Sequence, residues 1–184
     1  MTHNLVITAL GTNSPGIVHK LIGHVSNCGC NIVDSKLAIF GNEFTLIMLL
    51  SGEWNAMMQI ESSLPLKSQE LDLITMMKRT EKHIAVNYDY TIEFEVTIPD
   101  ATGLLEQFAL FFAKHNLNLA GLKSEVISVE TADASDMLKA NFTLNTTHDC
   151  VLNQLEADLA ALCQSLNARY KFVVESKTTT SSLF

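Results

Sequence analysis

Positive charge is scarce in this chain. Its 184 residues include 12 Lys and Arg against 20 Asp and Glu, which gives a formal net charge of −8. Proteins that bind nucleic acid non-specifically draw most of their binding free energy from Lys and Arg side chains that neutralise phosphates. An RNA-recognition module also stacks bases on exposed aromatics beside basic side chains, and the segment Phe44–Leu50 contains no basic residue. We therefore expect no direct contact with nucleic acid.

Long apolar runs and cysteines are also few. No stretch approaches the roughly 18 to 20 consecutive apolar residues of a membrane span, and the first residues lack the basic start and apolar run of a signal peptide. Four cysteines in 184 residues do not suggest a disulfide framework and are typical of core residues or free thiols in a reducing compartment. These absences predict a cytoplasmic protein that does not bind membranes.

Metal-binding and catalytic patterns are missing as well. His24 and Cys28 would share one face of a helix, but His19 lies roughly 140° from His24 around that helix, and Cys30 follows Gly29, so no structural-zinc spacing results. A phosphate-binding lysine loop, a Gly-x-Ser-x-Gly elbow and a His-Glu-x-x-His helix do not occur in usable form. We expect no metal, no cofactor and no enzymatic activity.

The sequence does contain an internal repeat. Gly16 and Gly103 lie 87 positions apart in two similar loop-to-helix segments, and the same interval separates Asn31 from Asn118. A fixed offset between landmarks indicates tandem copies of one structural unit. We predict one domain over residues 1–80, a linker over 81–89, a second domain over 90–176 and a flexible tail over 177–184.

Each copy shows the same order of strand and helix patterns. Buried or alternating strands are predicted at residues 5–10, 32–40, 44–50 and 71–78 in the first copy, and at 91–98, 140–145 and 170–175 in the second. Gly41-Asn42 predicts a tight hairpin, and the second copy has a longer polar loop over 130–136. The order β-α-β-β-α-β, found twice, predicts an α+β fold of two tandem ferredoxin-like domains, with helices on one face of each antiparallel sheet.

Apolar residues at helical spacing predict two helices in each copy. Ser14 and Pro15 suggest an N-cap followed by proline at the first helical position, Gly29 suggests the end of that helix, and Pro65 suggests the end of the next one. The predicted apolar stripes contain Ile17, Leu21, Ile22 and Val25; Trp54, Met57, Ile60 and Leu64; Leu104, Leu105, Phe108, Phe111 and Phe112; and Val151, Leu155, Leu159, Leu162 and Leu166.

The loop before the first helix of each copy is the strongest candidate site. Gly16 and Gly103 would let a ligand approach the backbone, and the free amide groups of a helix N-terminus favour a carboxylate. Asn13 or Asp100, together with the asparagine that opens the next strand, could hold an ammonium group. The same residues are also explained by a tight turn, close helix packing and end-capping asparagines. Pattern alone leaves both interpretations open.

The two loops resemble the signature of ACT domains. Asn13-Ser14-Pro15-Gly16-Ile17 with Asn31-Ile32 is similar to the family pattern in which Asp, then Pro-Gly-Ile or Leu, opens the first helix and Asn-Ile opens the second strand. The resemblance implies an amino-acid-binding regulatory domain. The ligand positions that it implies are Asn13, Ser14, Gly16, Ile17, Asn31 and Ile32 in the first copy, and Asp100, Thr102, Gly103, Leu104, Asn118 and Leu119 in the second.

Each copy departs from the family pattern once. Asn13 stands where the family usually has Asp, which removes a charge that could hold an ammonium group. The second copy keeps Asp100 but has Thr102 in place of the usual proline. The sequence therefore leaves open which copy binds a ligand and whether a site forms between the two copies.

Longer segments resemble tandem ACT repressors that control glycine-cleavage genes. These segments are residues 1–13, 44–52, 54–56 and 77–80. The resemblance implies repression through binding to a LysR-type transcriptional activator, with glycine as the ligand that relieves repression. An alternative is an amino-acid-sensing module that acts on another protein, such as a metabolic enzyme. The family also implies edge-to-edge pairing of ACT units, within the chain or between chains, and the second case would give a homo-oligomer.

Overall fold

The structure is a computed structural model that describes residues 2–81, 87–128, 135–147 and 152–176. The chain forms two compact units, Met1–Ile84 and Ala85–Phe184. The middle of the predicted linker, the predicted tail, most of the longer hairpin loop, Val151 and Cys150 lie outside the described residues. The boundaries that we assigned to linker and tail therefore stay predictions.

Both units have the element order that the sequence predicts, and the predicted fold class is confirmed. Unit 1 contains β1 (His3–Thr12), α1 (Ile17–Asn27), β2 (Asn31–Phe40), β3 (Glu43–Gly52), α2 (Trp54–Glu70) and β4 (Leu73–Thr80). Unit 2 contains β5 (Tyr90–Pro99), α3 (Leu104–Lys114), β6 (Asn118–Ile127), β7 (Met137–Thr146), α4 (Leu152–Ser165) and β8 (Arg169–Ser176).

Each unit is one antiparallel sheet with its helices on one face. The strand orders are β2-β3-β1-β4 and β6-β7-β5-β8. Because β1 and β2 both pair antiparallel with β3, they run in the same direction, and β5 and β6 are related in the same way. The end of β1 and the start of β2 therefore lie at opposite ends of the sheet.

Alternation along the strands separates a core face from an open face. In β3, Phe44, Leu46, Met48 and Leu50 are buried, as the alternating pattern predicts. The unit 2 core is rich in phenylalanine, with the rings of Phe94, Phe108, Phe112 and Phe142 in mutual contact at centroid distances between 5.0 and 6.4 Å. The two large apolar clusters are each drawn from a single unit.

The start of α1 differs from the predicted one. The residue before the helix is Gly16, with φ 82° and ψ −3°, whereas the sequence predicts Ser14 as the N-cap. The Ile17 N–H donates to Ser14 O at 3.2 Å, so Ser14-Pro15-Gly16-Ile17 closes a tight turn ahead of the helix. Proline followed by glycine at positive φ is the preferred composition of a type II turn, which explains the shift.

The end of α1 matches the prediction. Gly29 has φ 77°, its N–H donates to Ser26 O at 2.9 Å, and Cys30 N–H donates to Val25 O at 3.3 Å. This pair of hydrogen bonds is the Schellman arrangement that a glycine in the left-handed region permits.

Helix α2 continues past Pro65 to Glu70, so the predicted stop at Pro65 is wrong. The turn after the proline is held by a buried serine, since Ser68 Oγ donates to Leu64 O at 2.7 Å and lies 2.8 Å from Thr75 Oγ1 on β4. Packing against β4 thus outweighs the hydrogen bond that proline cannot donate. Trp54, which the pattern placed in the apolar stripe, is instead 50% exposed.

Candidate functional site

Both loops that lead from the first strand into the first helix place a glycine in the left-handed region. Gly16 has φ 82° and Gly103 has φ 88°, and a Cβ atom built on either residue would meet no atom within 4 Å. The glycines are therefore required by the backbone conformation of a tight turn and not by close helix packing. The space above each glycine is free for a ligand.

The first turn of α3 offers backbone donors beside this space. The first helical hydrogen bond runs from Gln107 N–H to Gly103 O at 3.1 Å. The amide groups of Leu104, Leu105 and Glu106 come before it and have no acceptor within the helix. With the positive end of the helix dipole, they favour an anionic group such as a carboxylate.

A crevice of about 330 Å³ opens next to these amides in unit 2. Its floor is apolar, because Leu104 and Leu138 are buried in a small cluster with Ile98. The rim comes from the β5–α3 loop, the first turn of α3 and the last part of β6. The lining residues are Asp100, Ala101, Gly103, Leu104, Leu105, Glu106, Ser124, Glu125, Val126 and Leu138.

The crevice combines two kinds of polar group. Asp100 and Glu106 are exposed acidic residues that line the crevice, and Glu106 belongs to the first turn of α3. Glu125 pairs with Lys139 on the open face, so strand alternation directs its side chain away from the helices and leaves its backbone at the crevice. Among the described residues that line the crevice there is no Lys or Arg. Backbone donors beside carboxylates suit a small zwitterion, with its carboxylate on the helix and its ammonium at the rim.

The fold brings together only part of the predicted ligand set. Asp100, Gly103 and Leu104 line the crevice, and Thr102 is in the same loop. Asn118 pairs with Asn145, which in turn pairs with Thr91 on β5. Thr91 is eight residues before Pro99, the last residue of β5 before the loop. At about 3.3 Å per residue this separation is about 26 Å.

Leu119 lies beside Asn118 at the far end of the sheet and is 41% exposed. Within one unit, no single small ligand could touch both Asn118 and the loop.

Unit 1 shows the same separation. Asn13, Ser14, Gly16 and Ile17 lie at the end of β1 where the β2–β3 hairpin turns, and Asn13 N–H donates to Asn42 O at 2.8 Å. The predicted pair Asn31 and Ile32 is at the opposite end, paired with Ser51 and Leu50.

The position in unit 1 that corresponds to the crevice has a different composition. Asn13 and His19 take the places of Asp100 and Glu106, so the two rim carboxylates are missing there. Fully buried Phe44 takes the place of Leu138, and Leu37 takes the place of Ser124. These larger apolar side chains leave unit 1 less suited to a polar ligand.

The sequence analysis missed the contribution of β6 and β7 to the crevice. Ser124, Val126 and Leu138 reach it because β6 runs parallel to β5 and ends beside the β5–α3 loop. Strand direction in a β-α-β-β unit is itself predictable from the hairpin. Following the second strand to its end would have found these residues.

A second polar cluster joins α1 and α2. His24 Nε2 lies 2.9 Å from Ser63 Oγ and 3.9 Å from Cys28 Sγ. Burial and nearby Lys67 lower the pKa of His24 below its usual value of 6.5. Among the described residues no group of three or more His, Cys, Asp or Glu is arranged to hold a metal ion.

Three cysteines in the described ranges, Cys28, Cys30 and Cys163, are buried free thiols. Burial raises the pKa of Cys163 to about 11, which keeps it in the thiol form. In the described part of the chain, no helix is long and apolar enough to cross a membrane.

Comparison with known proteins decides the family. A model of the ACT domain matches residues 3–78. The glycine cleavage system transcriptional repressors of Escherichia coli (strain K12) and Shigella flexneri are each 44% identical over 167 residues, which covers 91% of this chain and 87% of each relative. The chain belongs to this ACT-domain repressor family. Because these relatives are named as transcriptional repressors, the homology supports a regulatory role for the chain.

Two solved structures match at least 95% of this chain. A crystal structure provisionally assigned as a glycine cleavage system transcriptional repressor has a TM-score of 0.74 and 38% identity, covering 96% of this chain and 99% of its own. A protein of unknown function from Galdieria sulphuraria has a TM-score of 0.76 at 19% identity, with 95% and 99% covered. The latter likeness shows the fold alone.

Proposed function

We propose that this chain represses the glycine-cleavage genes by binding a LysR-type transcriptional activator, and that glycine relieves this repression. The observation that carries the ligand part is the unit 2 crevice of about 330 Å³, which is lined by the first turn of α3 together with Asp100 and Glu106. The identity of 44% to named repressors supports the regulatory part. The net charge of −8 favours action through a DNA-binding partner over direct contact with the operator.

The crevice would hold glycine by its two charged ends. The carboxylate lies against the amides of Leu104, Leu105 and Glu106, and the ammonium lies near Asp100. Unit 1 has Asn13 at the position of Asp100 and lacks the rim carboxylates. We therefore assign the ligand to unit 2 and treat unit 1 as the part of the chain that does not bind it.

Binding is tested by calorimetry and thermal unfolding with each of the twenty amino acids. Glycine at 100 times its dissociation constant should stabilise the folded chain by about 2.7 kcal/mol. Asp100→Asn should weaken glycine binding at least about tenfold, because it removes the charge that holds the ammonium group. Asn13→Ala is the matched control in unit 1 and should bind like the wild type. Absence of any shift with glycine, or unchanged binding by Asp100→Asn, contradicts the ligand assignment.

The partner is tested by co-purification from cells with and without added glycine. A LysR-type activator should be recovered with the chain, and glycine should reduce the amount recovered unless Asp100 is replaced by Asn. Recovery of a metabolic enzyme in its place would favour the alternative sensing module. A gel shift with operator DNA should show binding only when the activator is present.

A further inference from the structure

The open faces of the two sheets have different chemistry. In unit 1 the face turned away from the helices carries a set of apolar side chains, which we call the unit 1 open face. Five are substantially exposed: Leu10 at 40%, Phe40 at 69%, Ile47 at 44%, Ile74 at 68% and Met76 at 67%. The others are partly exposed Val6, Ala38 and Leu49.

Unit 2 has polar residues at six of the equivalent register positions, whereas apolar Ile127 takes the place of Phe40. Pairing in the two sheets matches Val6 with Glu93, Leu10 with Thr97, Ile47 with Asn141, Leu49 with Thr143, Ile74 with Arg169 and Met76 with Lys171. The fold therefore forms with polar side chains at every one of these six positions. The apolar character of the unit 1 open face is not a requirement of the fold, and exposed apolar patches of this kind mark interaction surfaces.

The face is large enough for a stable interface. Four strands about 4.8 Å apart and eight residues long span about 19 Å by 26 Å, or roughly 500 Å² in projection. Two such faces in contact bury about 1,000 Å², and more when surface relief is included, which reaches the size expected of a biological interface.

Two opposite charges flank this face in a single row. One row of paired residues crosses the sheet from β2 to β4 and contains Asp34, Leu49, Val6 and Lys78, in that order. Asp34 and Lys78 therefore lie at opposite edges of the sheet in the same row. Neither forms an ion pair with another described residue. If two copies stack these faces about a twofold axis parallel to the strands, Asp34 of each copy lies opposite Lys78 of the other. The interface then contains two such pairs.

We propose that the unit 1 open face is the interface of a homodimer, in which two copies stack these faces about such a twofold axis. The stacked strands would run nearly parallel, as in aligned sheet packing. The apolar side chains form the centre, and two Asp34–Lys78 pairs close the edges. A second copy fits this surface because the twofold axis sets Asp34 of each copy against Lys78 of the other. Lys36, which is paired with Ile47, lies on the β2 edge of the same face.

The apolar centre is tested by sedimentation equilibrium of the full chain. Met76→Lys and Ile47→Asn introduce the residue type found at the same position in unit 2, so the sheet accommodates them. Each should raise the dimer dissociation constant at least about tenfold. Val173→Lys, on the open face of unit 2, is the matched control and should leave dimerisation unchanged. Far-UV circular dichroism confirms that each variant is folded.

The geometry is tested by charge exchange, which leaves the apolar centre intact. Asp34→Lys and Lys78→Asp should each weaken the dimer because like charges then face each other, and the double variant should restore it to near the wild-type constant. A chain that stays monomeric up to about 100 µM overturns the proposal. So does a dimer that Met76→Lys leaves unchanged, which would indicate edge-to-edge pairing, or a double variant no tighter than the single ones.

Discussion

At the scale of single residues, the positive φ of Gly16 and Gly103 determines the conformation of the two loops. Gly16 and Gly103 are retained at positive φ with open space around them, so backbone geometry and not packing sets their identity. The sequence analysis found both residues, because a proline-glycine or threonine-glycine pair before an apolar stripe is a local signal. It placed the helix start two residues early, because Ser14 is also a good N-cap and pattern alone does not choose between the two.

The first prediction concerns Gly103. Gly103→Ala should lower the free energy of unfolding by about 1 to 2 kcal/mol, since an alanine at φ 88° is strained although its methyl group meets nothing. Gly23→Ala is the control, because Gly23 lies inside α1, also has open space and has no positive φ. It should raise the free energy of unfolding by about 0.5 to 1 kcal/mol. Urea unfolding measures both, and equal effects would contradict the strain argument.

At the scale of elements, helix-to-helix contacts depend on side chains distant in the sequence. His24 on α1 contacts Ser63 on α2, and Pro65 does not end α2 because Ser68 ties the following turn to β4. No local sequence pattern predicts either contact. The prediction that α2 stops at Pro65 failed because the tertiary packing that outweighs a missing backbone donor is invisible in the sequence.

The α1–α2 contact predicts a dependence of stability on pH. Burial and Lys67 lower the pKa of His24, whereas Glu70 acts in the opposite sense. The folded state therefore binds fewer protons than the unfolded state near pH 6. The stability gained from neutral His24 is fully present above its unfolded value of 6.5 and is lost as the pH falls through its lower folded value.

His24→Gln should accordingly lose less stability than the wild type between pH 7 and pH 5, as measured by urea unfolding at each pH. His19→Gln removes an exposed histidine from the same helix and serves as the control. The Glu61 and Glu70 carboxylates, whose pKa values are lowered by hydrogen bonds from Arg79 and Lys67, affect stability at lower pH, so the difference between His24→Gln and the wild type reports on the histidine. Identical pH slopes for His24→Gln and the wild type would contradict the assignment.

At the scale of the whole molecule, the chain is a repeat whose two copies have diverged in surface chemistry. The cores are conserved in kind, but unit 2 alone has rim carboxylates at its crevice and unit 1 alone has an apolar open face. These differences are the basis for proposing ligand binding in unit 2 and dimerisation through unit 1.

Separate cores predict that a core truncation destabilises one unit. Phe142→Ala removes a fully packed ring from the unit 2 cluster and should lower the free energy of unfolding of that unit by about 3 to 5 kcal/mol. The only tryptophan, Trp54, is in unit 1 and reports on that unit. Its fluorescence midpoint in urea should stay at the wild-type value, whereas far-UV circular dichroism should show an earlier transition.

Met48→Ala, in the unit 1 core, is the matched variant and should move the Trp54 midpoint. If Phe142→Ala shifts the Trp54 midpoint equally, the two units unfold as one cooperative body.

The sequence by itself determined the repeat, the order of elements and the glycine turns, because these depend on periodicity and backbone preference within a few residues. Only the tertiary structure decided which predicted ligand residues share a site. Asn31 and Asn118 lie about 26 Å from their loops because hydrogen bonds to β3 and β7 make the first two strands of each unit parallel. Strand pairing between distant segments also decided which residues line the crevice. It likewise placed Asp34 and Lys78 in the same row of the unit 1 sheet.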